Sequence, residues 1–157
     1  MLIYLIRHAH ALAGKDDAAR PLSKKGRAQV RAMARFLRKS AALGTHEFWH
    51  SPLVRSVDTA RLLARGLEVR GTFSLVTGLL HDDDPAILAK KLNQLRQPVA
   101  VVGHEPHLSA LASLLVTGRA KPPAFVLKKC AVLALEKEGR RWAVRWQVSP
   151  EVLPGRS

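Results

Sequence analysis

Residues 1–10 are MLIYLIRHAH, a short apolar run that stops at Arg7 and His8. Continuous apolar character is typical of a strand buried on both faces, as in a parallel sheet covered by helices. Residues 2–6 are therefore predicted to form such a strand, with Arg7 and His8 directly after it. Ligands of open α/β sheets bind at the carboxyl ends of the strands, so this position indicates a binding site.

Four helices are predicted from apolar residues at helical spacing. The first spans residues 23–40, and the second has Ser51 as its N-cap and Pro52 at its first position. The third is capped by Asp84, and the fourth begins at Pro106. The residues expected to face the core are Val30, Met33, Ala34 and Leu37, then Leu53, Val57, Ala60 and Ala64, then Leu88, Leu92 and Leu95, and finally Leu108, Leu111, Ala112 and Leu115.

Strands are predicted between these helices at residues 47–50, 73–76 and 98–102. Two more, near 125–135 and 141–148, are joined by a hairpin turn at Glu138-Gly139. Alternating strands and helices favour an α/β fold with three αβα layers and a largely parallel central sheet, and the last two strands add an antiparallel edge. We expect one domain over residues 1–153 and a loose tail over 154–157.

The composition narrows the class of protein. Apolar residues make up 47% of the 157-residue chain, so intrinsic disorder is not expected. With Cys130 as the single cysteine and no long apolar run, the sequence predicts a soluble cytoplasmic protein with no internal disulfide and no membrane association. The net charge of +14 favours anionic partners, and much of it lies on one face of the first helix, at Arg27, Arg31, Arg35 and Arg38.

Three segments place reactive residues after a strand, at 6–10, 50–55 and 102–106. In one sheet they would bring Arg7, His8, Arg55 and His104 to the same edge. Guanidinium groups match phosphate oxygens, and the helix N-termini after Ser51 and Gly103 add amide donors. A neutral histidine there can attack phosphorus, and a second can stabilise the developing charge. The combination indicates phosphoryl transfer.

The same segments resemble the motifs of the histidine phosphatase superfamily, whose fold is phosphoglycerate mutase-like. The length is close to that of its SixA branch, the phosphohistidine phosphatases. The resemblance implies that His8 is the nucleophile, that Arg7, Arg55 and His104 complete the phosphate pocket, and that Ser23 lies near it. The matching residues are Leu5-Ile6-Arg7-His8-Ala9, with Ala9 in place of the usual Gly, Arg20-Pro21-Leu22-Ser23-x-x-Gly26, Ser51-Pro52-Leu53-Val54-Arg55 with Thr59-Ala60, and Val102-Gly103-His104-Glu105-Pro106.

Some members of this superfamily use a carboxylic acid to protonate an alkoxide leaving group. His81, Asp82 and Glu105 are the candidates here, whereas Asp84 is better explained as a helix cap and Asp83 as a solvated loop charge. Imidazole is a far weaker base than an alkoxide, because its conjugate acid has a pKa of about 6.5. A poor acid therefore favours phosphohistidine as substrate. His10 is expected to touch substrate or to face solvent.

The predicted activity is a metal-independent phosphatase that needs no cofactor and acts on a phosphohistidine protein. The first alternative is a histidine phosphatase for small phosphate esters, or one with mutase activity. A basic nucleic-acid-binding protein is a remote alternative, because aromatic residues make up only 5% of the chain and no recognition motif is present. A metal-dependent hydrolase would have to use the pairs His8/His10 and His104/His107, which lack the usual helical ligand spacing.

Overall fold

The computed structural model describes residues 1–154 and contains a six-stranded sheet with α-helices packed on both faces. The elements, in chain order, are β1 Leu2–Arg7, α1 Lys24–Ser40, β2 Glu47–His50, α2 Val54–Gly66, β3 Thr72–Leu75, α3 Pro85–Asn93, β4 Val99–Gly103, α4 His107–Thr117, β5 Val132–Glu138 and β6 Arg141–Val148, with single-turn 3-10 helices at Asp17–Ala19 and Pro150–Val152.

The strand order is β3-β2-β4-β1-β5-β6. The first four strands of this order are parallel, and β5 and β6 add an antiparallel edge, as the sequence predicts. Arg7 pairs with Gly103, and His50 pairs with Val102. The carboxyl ends of β1, β2 and β4 therefore lie side by side at one edge of the sheet.

The sheet separates two apolar cores. Tyr4 and Ile6 of β1 pack against α1 and α2 on one face, whereas Ile3 and Leu5 pack against α3 and α4 on the other. This alternation follows from the two-residue period of a strand, and it explains why β1 is apolar throughout. The three-layer αβα fold is confirmed.

The first helix follows its sequence pattern. Val30, Met33, Ala34 and Leu37 are buried, as the helical spacing predicts. The Ser23 hydroxyl accepts a hydrogen bond from the Gly26 amide and caps the helix. Helix α1 is thus fixed at its first turn, next to the segment that follows β1.

The second helix begins later than predicted. It starts at Val54, and Ser51 is not its N-cap. The Ser51 hydroxyl instead accepts the Leu53 amide at 3.3 Å and contacts the ring of His104 at 2.6 Å. Ser51 therefore bonds His104, at the end of the neighbouring strand β4, instead of capping α2.

The buried face of α2 is also different from the prediction. Leu53 and Val57 are only half-buried, whereas Arg55, Ser56 and Thr59 are buried. The Ser56 hydroxyl donates to the Val102 carbonyl at 3.0 Å. Polar residues occupy this face because it covers the carboxyl edge of the sheet, where backbone groups are free to bond.

The predicted strand at 125–135 is shorter in the structure, because β5 begins at Val132. Residues 125–131 cross the carboxyl edge of the sheet as a loop. The Cys130 amide donates to the Arg7 and His8 carbonyls, and Cys130 has a left-handed φ of 62°. Leu127 and Cys130 give this loop its apolar character. Both are buried, although neither belongs to a strand.

The hairpin turn at Glu138-Gly139 is confirmed, since β5 ends at Glu138 and Gly139 has a φ of 64° that favours glycine. Of the predicted loose tail, Pro154 lies in a turn. Residues 155–157 lie outside the part of the chain that the structure describes.

Candidate active site

His8 lies just beyond β1 and is held from two sides. Its amide donates to the Gly103 carbonyl at 3.0 Å, which ties it to the end of β4. Its Nδ1 lies 2.7 Å from the Ala9 carbonyl oxygen. A carbonyl can only accept, so Nδ1 carries the proton and Nε2 keeps its lone pair. The backbone thereby selects the tautomer in which Nε2 is the nucleophilic atom.

His8 is also kept neutral. Burial lowers the pKa of its imidazole to about 4, the hydrogen bond to the Ala9 carbonyl opposes this shift, and the positive charges of Arg55, Arg7 and Lys129 lower it further. The lone pair on Nε2 is therefore available at neutral pH. A protonated ring would have no such lone pair.

His104 lies at the end of β4, with its ring centroid 5.1 Å from that of His8. Its Nε2 is 2.6 Å from the Ser51 hydroxyl oxygen, which already accepts the Leu53 amide. The Ser51 hydrogen is free to donate to Nε2, and in that tautomer the ring proton of His104 is on Nδ1. Burial lowers the pKa of His104 to about 3, with further contributions from His8 and Arg55.

Four buried side-chain nitrogens have no hydrogen-bond partner within residues 1–154, namely Arg7 Nε and His104 Nδ1 at this edge and both ring nitrogens of His107 in α4. Leaving a buried polar group unpaired costs about 1–3 kcal/mol, so such groups concentrate where a ligand completes the site. Arg7 Nε, and His104 Nδ1 in the tautomer that carries its proton there, suit the oxygens of an anion. The guanidinium of Arg7 is held in place by its Nη1, which donates to the Leu127 carbonyl at 3.0 Å.

Arg55 comes from the first turn of α2 and is buried despite its charge. Its NH1 donates to the Asp17 carbonyl at 2.9 Å, and its NH2 lies 3.3 Å from the Asp17 carboxylate. The same carboxylate bonds Arg20, and these bonds with Arg20 and then Arg55 lower the pKa of Asp17. Asp17 lies in the single-turn 3-10 helix, and no motif or periodicity in the sequence links this turn to the site.

Ser23 contacts the site indirectly. Its hydroxyl lies 2.6 Å from His10 Nδ1, and its amide donates to the His10 carbonyl at 3.0 Å. His10 is half-buried, and its ring bonds Ser23. Burial lowers the pKa of His10, followed by the charges of Lys129 and Lys25. This contact fastens the loop after His8 to the start of α1.

Thr59 and Lys129 complete the surroundings of His8. The Thr59 hydroxyl accepts the Ala9 amide at 3.0 Å and donates to the Arg55 carbonyl at 2.8 Å, so it joins two motif segments. Lys129 is half-buried in the loop before β5, and its charge acts on both His8 and His10. Thr59 belongs to a matched motif, whereas Lys129 had no signal in the sequence.

Of the candidate acids, His81 lies near enough to His104 for its charge to lower the pKa of that ring. His81 and Asp82 are exposed in the turn before α3, and Asp84 caps that helix through the Ala86 amide. Asp83 is half-buried and accepts the Leu80 amide at 2.9 Å, so it is not the solvated charge expected from the sequence. Both oxygens of Glu105 are engaged by Ser109 in α4.

Within residues 1–154, no three His, Cys, Asp or Glu side chains are grouped so that they could hold a metal ion. His8 and His10, one of the two pairs considered as metal ligands, each bond a different neighbour through Nδ1. Over the same residues, none of the helices has the length and apolar character needed to cross a membrane.

Comparison with known proteins agrees with this geometry. Residues 3–75 match the model of the histidine phosphatase superfamily, branch 1. The chain is 26% identical over 155 residues to phosphohistidine phosphatase SixA of Escherichia coli K12, an alignment that covers 96% of this chain and 94% of the relative. The resemblance to the histidine phosphatase superfamily that the motifs indicate is thus supported by a family-model match and by a relative aligned along nearly the whole chain.

Solved structures of other proteins share the fold. The structure of the protein histidine phosphatase SixA complexed with tungstate matches with a TM-score of 0.85 and 24% identity, over 96% of this chain and 97% of the other. A putative α-ribazole-5′-phosphate phosphatase from Escherichia coli K-12 matches with a TM-score of 0.79 and 18% identity, over 96% and 98%. The phosphoglycerate mutase-like fold expected from the motifs is thus confirmed, and relatives with this fold differ in substrate.

Proposed function

We propose that this protein is a phosphohistidine phosphatase, which hydrolyses the phosphoramidate bond of a phosphorylated histidine on a protein. The observation that carries the proposal is the arrangement of His8 and His104, whose rings lie 5.1 Å apart beside Arg7 and Arg55. Residues 1–153 serve in this proposal as a single histidine phosphatase domain, which works in the cytoplasm.

In the first step, His8 Nε2 attacks the phosphorus atom of the substrate. The new N–P bond forms as the bond to the leaving imidazole breaks, and that imidazole keeps the electron pair of the broken bond. Arg7 Nε and a protonated His104 Nδ1, which are buried and have no protein partner within residues 1–154, bind the phosphoryl oxygens as charge moves onto them. Arg55 turns its guanidinium from Asp17 towards the same oxygens.

In the second step, water attacks the phosphorus of phospho-His8. The N–P bond breaks, inorganic phosphate leaves, and His8 regains its lone pair. The Ala9 carbonyl keeps the Nδ1 proton in place through both steps, so the ring needs no change of tautomer. Positioning and charge stabilisation supply the catalysis, without a metal or another cofactor.

The candidate general acids are poorly placed to protonate a leaving group, and this supports a substrate with an N–P bond. Glu105 is engaged by Ser109, and His81 and Asp82 are exposed in a turn. An alkoxide would need a proton from such a group as it leaves. A ring-protonated phosphohistidine releases a neutral imidazole instead, whose conjugate acid has a pKa of about 6.5. A site whose candidate acids are exposed or already hydrogen-bonded suits a substrate that needs little protonation of its leaving group, such as phosphohistidine.

A comparison of two peptides of matched sequence tests the proposal. The value of kcat/KM for a phosphohistidine peptide should exceed that for the phosphoserine peptide by at least two orders of magnitude, and excess chelator should leave it unchanged. His8→Ala should abolish turnover of both. A preference for phosphoserine, or for small sugar phosphates over both peptides, would replace the proposal by an ester phosphatase.

A further inference from the structure

A basic groove runs from the edge of the candidate active site along the exposed side of α1. Its volume is about 1030 Å³, and Arg7 and Lys129 line its inner end. Lys24, Arg31 and Arg35 line its course along the helix and are exposed. The groove is therefore continuous with the phosphate pocket through Arg7.

The charges in this groove are largely uncompensated. Its one acidic lining residue, Glu151, is bonded to Lys128 at 2.8 Å. Within residues 1–154, Lys24, Arg31 and Arg35 have no acidic side chain within ion-pair distance. Cationic side chains that line a concave surface without nearby anions produce a strong positive potential there.

The length of the row of cations sets the size of the partner. Lys24 and Arg35 are eleven residues apart on one helix, which places them roughly 16 Å apart along the axis at 1.5 Å per residue. A small phosphate ester held at His8 cannot reach along this row. None of the described residues that line the groove is aromatic, so it offers no stacking surface for nucleic-acid bases.

We infer that this groove docks an acidic surface of the protein substrate, beside the phosphorylated histidine whose phosphoryl group enters the pocket at His8. The inference rests on the proposed function and adds the place where the substrate protein binds. Charge complementarity at such a surface mainly raises the association rate and selects the partner.

A triple variant, Lys24→Gln with Arg31→Gln and Arg35→Gln, tests the docking surface. These residues are exposed and lie outside the phosphate pocket. The matched control is Lys90→Gln with Arg140→Gln and Arg141→Gln, which removes the same charge from α3, the β5–β6 turn and the first residue of β6. The substrates are an acidic protein domain that carries one phosphohistidine, and a phosphohistidine peptide without acidic residues.

The groove variant should lose about tenfold in kcat/KM for the acidic domain, and this loss should shrink as salt is added. Its kcat/KM for the neutral peptide should change less than twofold, and the control should match the wild type on both substrates. Equal losses on the two substrates, or no loss on the acidic domain, would overturn the inference.

A binding measurement separates this inference from the proposed function. If the wild type turns over neither phosphohistidine substrate, the proposed function fails, and titration of the unphosphorylated acidic domain still tests the groove. The wild type and the control should bind it more tightly than the groove variant. Preferential binding of duplex DNA or of anionic lipid vesicles through the same three cations would overturn the inference that the groove binds a protein.

Discussion

The imidazole rings of His8 and His104 lie 5.1 Å apart and are inclined by 49° to each other, although 96 residues separate them in the sequence. Parallel pairing of β1 with β4 produces this contact, because Arg7 and Gly103 share one register position. Each ring is oriented by a different group, the Ala9 carbonyl for His8 and the Ser51 hydroxyl for His104.

Replacing Ser51 with Ala should disturb His104 more than it disturbs the fold. The change removes the contact to Nε2 and leaves a buried ring nitrogen unpaired, at a cost of about 1–3 kcal/mol in the free energy of unfolding. We expect kcat to fall about tenfold or more with a smaller change in KM, measured with the phosphohistidine peptide.

The control for this experiment is Ser113→Ala, which removes another buried hydroxyl of the same protein, bonded to the Ala124 amide. It should keep kcat within twofold of the wild type. Equal kcat values for the two variants would show that Ser51 does not position His104.

The two depressed histidine pKa values predict how stability depends on pH. His8 and His104 have pKa values of about 4 and about 3 in the folded protein, below the ordinary histidine value of 6.5. Between these values the unfolded chain binds more protons, so the free energy of unfolding is highest above pH 6.5 and decreases as the pH falls towards 4.

For His8 alone this loss amounts to about 3 kcal/mol when complete. Urea unfolding at pH 7 and at pH 4.5 should therefore show a smaller pH-dependent loss for His8→Asn than for the wild type. Identical losses in the two proteins would mean that His8 is not held neutral by the fold.

Asp17 is expected to compete with substrate for Arg55. Its carboxylate lies 3.3 Å from Arg55 NH2, and its side chain is 64% exposed, so it can swing away when a phosphate enters. Asp17→Asn removes the negative charge but keeps the backbone carbonyl that holds Arg55 NH1. Inorganic phosphate should then inhibit severalfold more strongly. Weaker inhibition would indicate that the carboxylate orients Arg55 for substrate.

Gly26 is required by the close approach of the His10 loop to α1. A Cβ at this position would lie 2.0 Å from the His10 carbonyl oxygen, so Gly26→Ala must push the two segments apart. We expect a loss of about 2 kcal/mol or more in urea unfolding, as for other overpacked sites. Gly44→Ala is the control, because its Cβ would meet only the Tyr4 hydroxyl at 3.7 Å. A similar loss of stability in Gly44→Ala would show that the close approach to His10 is not what requires Gly26.

The sequence predicted the parts of the fold that depend on local pattern. The apolar run at residues 2–6, the helical spacing from Val30 to Leu37 and the cap at Asp84 each depend on neighbours along the chain, and each is confirmed. The order of the layers follows from their alternation.

The features that the sequence did not predict depend on contacts between distant segments. Ser51 looked like a helix cap because the sequence does not show that His104 lies beside it. Residues 125–131 looked like a strand because buried apolar residues in a loop have the same composition. Asp17 and Lys129 reach the site from loops, which have no periodicity to indicate their position.

The central claim is that a phosphoryl group is transferred to His8, and trapping this intermediate tests it most directly. The protein is incubated with a labelled phosphohistidine peptide, quenched in alkali within the first turnovers, and mapped by mass spectrometry. An alkali-stable, acid-labile phosphate on His8 is predicted, and His8→Ala should carry none. Turnover at the full rate by His8→Ala, or label on another residue with His8 unmodified, would contradict the account.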